Sequence, residues 1–361
     1  MDKVRPPAPR APIFDAYDPQ FLPADAYLAA NENPCDIPDA LRKDVMEALK
    51  ALPFNRYPDP LANALRDAIA QANGIERSQV LVGNGGDELL FDLALAYGGP
   101  GRRFLNFPPT FSVYEINAHL TRTEVIEIPR RGDFTLDEEA VCARLAQGDI
   151  DYTIVTSPNN PTGDVADPAF ILRLLEASDA LVLVDEAYFE FCGVTCLPLL
   201  ERHRNLAVLR TFSKAYSLAG VRLGYIMAHA EVIRELVRIR QPYSVDAVSQ
   251  LIGACVLKGR SAFAPGIAEL ISQRELLYES LAEMPAVTAF PSQANYILVR
   301  VANASELWQT LYDQGVLVRD LSRAPHLKDC LRITVGTAAE NQKLLAALGK
   351  ALGGQTDKGE S

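Results

Sequence analysis

Ala180-Leu-Val-Leu-Val-Asp-Glu-Ala-Tyr188 is an apolar run that does not alternate with polar residues. A strand with one wet face would alternate. A run of this kind fits a strand buried on both faces, as in a parallel sheet covered by helices. It ends in Asp185, a charge that is costly inside a protein unless something pairs with it. The fold and the chemistry of the chain both follow from asking what surrounds that strand end.

Similar segments lie on either side. Thr153-Ile-Val-Thr-Ser-Pro-Asn-Asn-Pro-Thr-Gly163 is a β-branched strand running into an Asn/Pro/Gly turn. Gln79-Val-Leu-Val-Gly-Asn-Gly-Gly-Asp-Glu-Leu-Leu90 is a strand, a glycine turn and the start of an apolar-periodic helix. Backbone N–H groups at such a helix start form an anion site suited to phosphate. The turn lacks the dinucleotide pattern, which needs glycine where Glu88 stands, and Asp87-Glu88 has the wrong charge for a nucleotide-binding Gly-Lys-Ser/Thr. A lone monophosphate suits it better.

Strands are expected at Val80–Val82, Phe104–Phe107, Val125–Ile128, Thr153–Thr156, Leu181–Val184 and Leu206–Phe212, with helical segments between them. That alternation predicts an α/β fold with a mostly parallel sheet flanked by helices. Ligands of such sheets bind beyond the carboxyl ends of the strands. Asn160, Asp185, Ser213 and Lys214 all fall there, as do the glycine turn and Pro108-Pro-Thr-Phe111.

Lys214 lies in Arg210-Thr-Phe-Ser-Lys-Ala-Tyr-Ser-Leu-Ala-Gly-Val-Arg222, among the hydroxyls of Thr211, Ser213 and Ser217. An isolated Ser-Lys pair is an ordinary surface feature. A partly buried lysine at a strand end, however, loses its proton easily and can attack a carbonyl to form a Schiff base. The hydroxyls and Arg222 can hold a phosphate on the molecule it attacks. An amine, a phosphate cup, a carboxylate, Asn and Tyr donors and an aromatic face together suit pyridoxal phosphate. Its ring nitrogen needs a carboxylate to stay protonated, and its ring needs a neighbour such as Phe111.

These residues carry a family resemblance. Asn31-Glu-Asn-Pro34, Arg56-Tyr-Pro-Asp-Pro60, Gly83-Asn-Gly-Gly-Asp-Glu88, Pro108-Pro-Thr-Phe111, Ser157-Pro-Asn-Asn-Pro-Thr-Gly163, Val184-Asp-Glu-Ala-Tyr188, Arg210 to Tyr225 and Leu331-Arg-Ile-Thr-Val-Gly-Thr337 occur in order over most of the chain. The chain resembles the fold-type I pyridoxal-phosphate aminotransferases of class I/II, and within them the branch that uses histidinol phosphate. The resemblance implies a large domain with a mostly parallel central sheet and a smaller α+β C-terminal domain.

The resemblance also implies roles. Lys214 forms the Schiff base with the cofactor and shuttles the proton, and Asp185 pairs with the pyridine nitrogen. Asn160 and Tyr188 contact the ring oxygen. Phe111 stacks on the ring, where many relatives carry Tyr. Gly86, Asp87, Ser213 and Arg222 hold the phosphate, with Thr211 beside them. Tyr57 reaches the phosphate of a second subunit, which implies a homodimer with shared sites. Arg332 and Arg319 bind substrate anions, with Tyr17 and Asn33 nearby. The implied reaction moves an amino group between L-histidinol phosphate and 2-oxoglutarate/glutamate, in histidine biosynthesis, with ping-pong kinetics. Rival readings are an aromatic amino-acid aminotransferase, a decarboxylase of a phosphorylated amino acid and a non-catalytic regulator, for whose DNA-binding module the start of the chain leaves no room.

Composition sets limits on these readings. A chain of 361 residues can bury a large core and usually divides. The net charge of −11 argues against nucleic acid or an anionic membrane as the main partner. No signal region or membrane-length apolar stretch is seen, so a cytoplasmic enzyme is expected. Six cysteines are scattered; Cys192 and Cys196 have no second pair or histidine to complete a metal site, so no metal is expected. The expected organisation is an N-terminal arm (1–34), a large cofactor-binding domain (35–260), a small domain (261–352) with strands near Tyr296–Val301, Val316–Arg319 and Leu331–Val335, and a disordered tail (353–361).

Overall fold

The computed structural model describes residues 22–353. Their strands, in chain order, are β1 (Ala26–Leu28), β2 (Val80–Asn84), β3 (Arg103–Asn106), β4 (Glu124–Glu127), β5 (Tyr152–Thr156), β6 (Leu181–Asp185), β7 (Leu206–Thr211), β8 (Leu223–Ala228), β9 (Thr288–Ala289), β10 (Tyr296–Arg300), β11 (Val316–Asp320) and β12 (Cys330–Thr334). Seven form a sheet in the order β2-β8-β7-β6-β5-β3-β4, and five form a second sheet in the order β1-β11-β12-β10-β9.

The large sheet is parallel except for β8, which runs antiparallel to both β2 and β7. All five residues of β6 are buried. Val182 and Val184 enter one core, with Phe170 and Leu174 of the helix Pro168–Ala177 and Leu257 of the helix Ala247–Lys258. Leu181 and Leu183 enter the other, with Leu89 and Leu93 of the helix Gly85–Tyr97 and Leu236 of the helix Ala230–Ile239. Period-two alternation divides the strand between two apolar faces, hence the unbroken apolar run. Each such aliphatic side chain contributes about 1.5–3 kcal/mol on full burial.

The covering helices begin at local stop signals. Asp167 accepts from Ala169 N at 2.8 Å ahead of Pro168, and Asp246 accepts from Ser249 N at 2.9 Å. Each satisfies a donor that the helix start leaves open.

Besides the two-residue β9, two strands are absent from the sequence expectation. β8 is one: Gly224 interrupts its apolar pattern, and only a three-residue 3-10 turn, Ala219–Val221, separates it from the lysine turn. The glycine is required, because a Cβ there would lie 2.8 Å from Gly85 C and Gly86 N. The other is β1. It lies within the segment assigned to the arm, yet it pairs in parallel with β11, Tyr27 opposite Leu317. At the other end, Gly353 closes the helix Ala338–Gly353 instead of starting a tail. Among the described residues no helix is long and apolar enough to cross a membrane, and no group of three or more His, Cys, Asp or Glu could hold a metal ion.

Candidate active site

One edge of the large sheet gathers the turns that follow β2, β3, β5, β6 and β7. Since β8 runs the other way, its starting end reaches the same edge and brings Arg222 with it. The small sheet closes the opposite side with β11 and β12. Between them lies a cavity of about 640 Å³, within the range of small-molecule sites. Gly86, Asp87, Phe111, Asn160, Asp185, Tyr188, Thr211, Ser213, Lys214, Arg222, Arg319 and Arg332 all line it.

One corner is built for an anion. Gly86 and Asp87 occupy the first turn of the helix Gly85–Tyr97, whose N–H groups have no partner in the helix itself. Arg222 Nη2 donates to Asp87 Oδ2 at 3.0 Å. At Gly85 the backbone takes φ +79°, and a Cβ would lie 2.6 Å from Arg222 Nη2. The missing side chain lets the guanidinium lie against the turn. Thr211 Oγ1 accepts from Ser213 N at 3.1 Å, which holds the two hydroxyls next to this corner.

The floor carries the acid. Asp185 is 4% exposed, and its carboxylate accepts from Tyr114 OH at 2.7 Å and from Ala187 N at 3.0 Å. Its pKa is raised to about 6, with burial the largest cause. The Tyr114 and Ala187 bonds pull it down, and the charges of Asp87 and Glu186 push it up again. Directly behind it, Glu186 pairs with Arg210, whose Nη2 donates at 2.8 Å, both side chains being almost wholly buried. Arg210 also lies 3.7 Å from the centre of the Phe189 ring.

Lys214 Nζ donates to Ala30 O at 3.1 Å. Burial is the main force lowering its pKa, to about 8. Arg332 and Arg222 lower it further, while Glu32 and Asp87 oppose them. The amine is therefore held close to losing its proton near neutral pH.

Arg319 and Arg332 stand directly opposite each other in the β11–β12 register. Arg332 Nη1 donates to Asn160 Oδ1 at 2.6 Å, and Nη2 donates to Ala29 O at 2.7 Å. Like charges opposite each other in a sheet repel, and an anion in the cavity relieves that repulsion. Tyr188 OH accepts from Asn31 Nδ2 at 2.9 Å.

Two expected site residues among the described ones, Asn33 and Tyr57, are not on the cavity wall. Asn33 turns its amide to Ala215 O at 3.3 Å, and Asn31 and Glu32 line the cavity instead. Tyr57 is 83% exposed and stacks on Tyr243 with ring centres 4.7 Å apart. Tyr17 lies outside the described residues. Sequence reading also passed over Tyr114 and Thr156. Tyr114 sits three residues after Phe111 and reads as a core aromatic; nothing local shows that its hydroxyl reaches a carboxylate 71 residues away.

The donor set fits pyridoxal phosphate. Asp185 is buried and the charged groups acting on it are acids, so the floor is complementary to a cation such as a protonated ring nitrogen. Lys214 supplies the amine for an aldehyde, and the Gly86–Arg222 corner supplies donors for a phosphate.

Comparisons with known proteins point the same way. Residues 26–348 match the family "Aminotransferase class I and II". The chain is 41% identical over 337 residues to histidinol-phosphate aminotransferase 1 of Carboxydothermus hydrogenoformans, covering 93% of this chain and 95% of that protein. It is 40% identical to the histidinol-phosphate aminotransferase of Thermococcus kodakarensis, over 89% of this chain and 91% of the other. Among solved structures, the histidinol-phosphate aminotransferase of Sinorhizobium meliloti in complex with pyridoxal-5'-phosphate aligns with a TM-score of 0.83 at 22% identity, covering 92% of each chain. At that identity the likeness is one of fold.

Proposed function

The chain belongs to the class I and II aminotransferases, and from that premise we propose that it transfers an amino group between L-histidinol phosphate and 2-oxoglutarate, with pyridoxal phosphate as cofactor. The observation that carries the substrate is the pairing of Arg319 with Arg332 in register on one cavity wall. Two guanidinium groups suit a phosphate dianion better than a lone carboxylate. The names of the relatives at 40–41% identity support the same substrate.

When bound, pyridoxal phosphate supplies an electrophilic carbon and a cationic ring that spreads the charge left as the substrate carbon loses its proton. The protein supplies the rest. Gly86, Asp87, Ser213 and Arg222 anchor the phosphate by hydrogen bonds from N–H, hydroxyl and guanidinium groups. Asp185 presents a negative charge to the ring nitrogen. Asn160 and Tyr188 hold the ring oxygen, and Phe111 covers a ring face. Lys214, with a pKa near 8, takes the proton at Nζ and returns it; a base tuned close to the working pH is the efficient choice. Arg319 and Arg332 orient the donor, and the acceptor uses the same groups in the second half-reaction, so the kinetics are ping-pong.

The aromatic side chains of Phe54 and Tyr57, 79% and 83% exposed, support a homodimer in which Tyr57 reaches the anion corner of a second copy. Sedimentation of the purified protein as a monomer at micromolar concentration would remove that part of the reading.

The deciding assay couples L-histidinol phosphate to 2-oxoglutarate and measures glutamate. Turnover with parallel double-reciprocal lines is expected. Good turnover of phenylalanine with none of histidinol phosphate would make the protein an aromatic aminotransferase, and release of carbon dioxide would make it a decarboxylase.

A further inference from the structure

Asp185 is the last member of a chain of hydroxyl groups along the cavity wall. Tyr114, 1% exposed in the helix Val113–Leu120, places its OH 2.7 Å from Asp185 Oδ2 and 2.8 Å from Thr156 Oγ1. Thr156 Oγ1 is 3.2 Å from Thr110 Oγ1, which donates to Asn159 Oδ1 at 2.8 Å. The amide nitrogen of Asn159 donates to Pro109 O at 3.1 Å and to Thr162 Oγ1 at 2.7 Å. A main-chain carbonyl only accepts, so the orientation of Asn159 is set and its Oδ1 must be the acceptor.

Counting protons decides the direction of the chain. Each hydroxyl has one proton, and that of Thr110 is committed to Asn159. With Asp185 ionised, Tyr114 donates to the carboxylate and Thr156 donates to Tyr114. With Asp185 protonated, two contacts reverse, Asp185 donating to Tyr114 and Tyr114 to Thr156, and Thr156 then donates to Thr110 across the longer 3.2 Å gap, which carries no proton in the first arrangement. The first arrangement contains a charge-assisted O–H···O⁻ bond, about twice as strong as a neutral one. The second does not.

We propose that Tyr114 is the positioning residue of Asp185, its hydroxyl polarised by Thr156 so that the carboxylate stays ionised and oriented to pair with a cationic ring nitrogen in the cavity. The cofactor part of this inference rests on the function proposed above. Without the hydroxyl, Asp185 keeps only the Ala187 N–H. Around it stand Asp87 and Glu186, which favour its neutral form, and the phenols of Tyr114, Tyr188 and Tyr296. Tyr114→Phe removes one oxygen and keeps the ring, which packs edge-on against Phe111 at 5.5 Å.

The test follows Asp185 itself. The full chain is labelled with ¹³C at aspartate carboxyl carbons, and the Asp185 resonance is assigned by its absence in Asp185→Asn. In cofactor-free protein the wild-type midpoint is expected near pH 6, and Tyr114→Phe should raise it by about one unit or more, with the variant still folded and unfolding cooperatively. Thr156→Val should raise it by less, and Thr156→Ser should restore it; these two variants decide the matter if Tyr114→Phe does not fold. Loaded with ¹⁵N-labelled pyridoxal phosphate, Tyr114→Phe should show loss of ring-nitrogen protonation at a pH where the wild type keeps it. A folded variant with an unmoved Asp185 midpoint overturns the inference, whatever the cofactor does. A wild-type chain that takes up no pyridoxal phosphate sinks the proposed function instead, and the cofactor-free titration still decides the role of Tyr114.

Discussion

The two walls of the cavity are built differently. On the large-sheet wall, Asp185 and Ser213 stand at the ends of strands buried on both faces and take their supports from the same sheet edge, and only the Lys214 amine beside them reaches across, to Ala30 O. On the small-sheet wall, Arg332 is held by Asn160, 172 positions away, and by the carbonyl of Ala29, 303 positions away. The first wall is a rigid platform for chemistry. The second is assembled from three distant parts of the chain and faces the substrate, so specificity can change there while the platform stays the same.

Removing the platform's base tests the contrast most severely. Lys214→Ala should lower turnover at least about a thousandfold. Borohydride treatment followed by peptide mass analysis should find the cofactor on Lys214 in the wild type and nowhere in the variant; label on another lysine would refute the assignment. Next comes the support of the platform. Arg210→Met leaves Glu186 buried without its partner, which should cost about 3–5 kcal/mol of stability. Denaturant unfolding checks this, and a loss below about 1 kcal/mol would show the platform to be softer than it looks.

A substitution on the other wall should act selectively. Arg319→Ala is expected to lower kcat/KM for histidinol phosphate about 10- to 100-fold, with little change for an unphosphorylated amino acid and little change in stability. Equal losses for both donors would mean that Arg319 does not read the phosphate.

The smallest effect concerns pH. Lys214 has a folded pKa near 8, below its ordinary 10.5. Folding is therefore penalised while the unfolded lysine is protonated and the folded site resists the charge. The penalty is complete below pH 8 and fades as pH rises from 8 to 10.5. Lys214→Met in cofactor-free protein should accordingly be more stable than wild type by about 1–2 kcal/mol at pH 7, since loss of the Ala30 bond offsets part of the gain. The advantage should disappear between pH 8 and 10.5 and become a small deficit by about pH 10.5, where only the lost Ala30 bond remains; thermal melts across that range measure it.

The platform was largely legible in the sequence because its signals are local. Unbroken apolar runs mark β6 and β7, and the turns that follow them carry the reactive groups within two or three residues. β8 was not legible, since its glycine serves a close approach to Gly85 and Gly86 that no local pattern reveals. Nor was β1, which is three residues long and finds its partner, β11, some 290 positions later. Asn33 drew attention as a polar residue in a motif, yet its neighbours Asn31 and Glu32 line the cavity; Asn31 sits at φ +55°, a local kink that composition does not show.

By itself, the sequence determined the inventory of groups and their order along the chain: an amine, a carboxylate, a glycine turn and two arginines, each tied to a strand end by a pattern read over about ten residues. Tertiary structure alone decided which of them meet. The opposition of Arg319 and Arg332 depends on the register between β11 and β12. Arg222 reaches the anion corner because β8 runs against its neighbours. Tyr114 meets Asp185 because a helix after β3 packs beneath the end of β6. Local patterns report which face of an element is buried. Pairings of this kind are set by the packing of elements far apart in the chain.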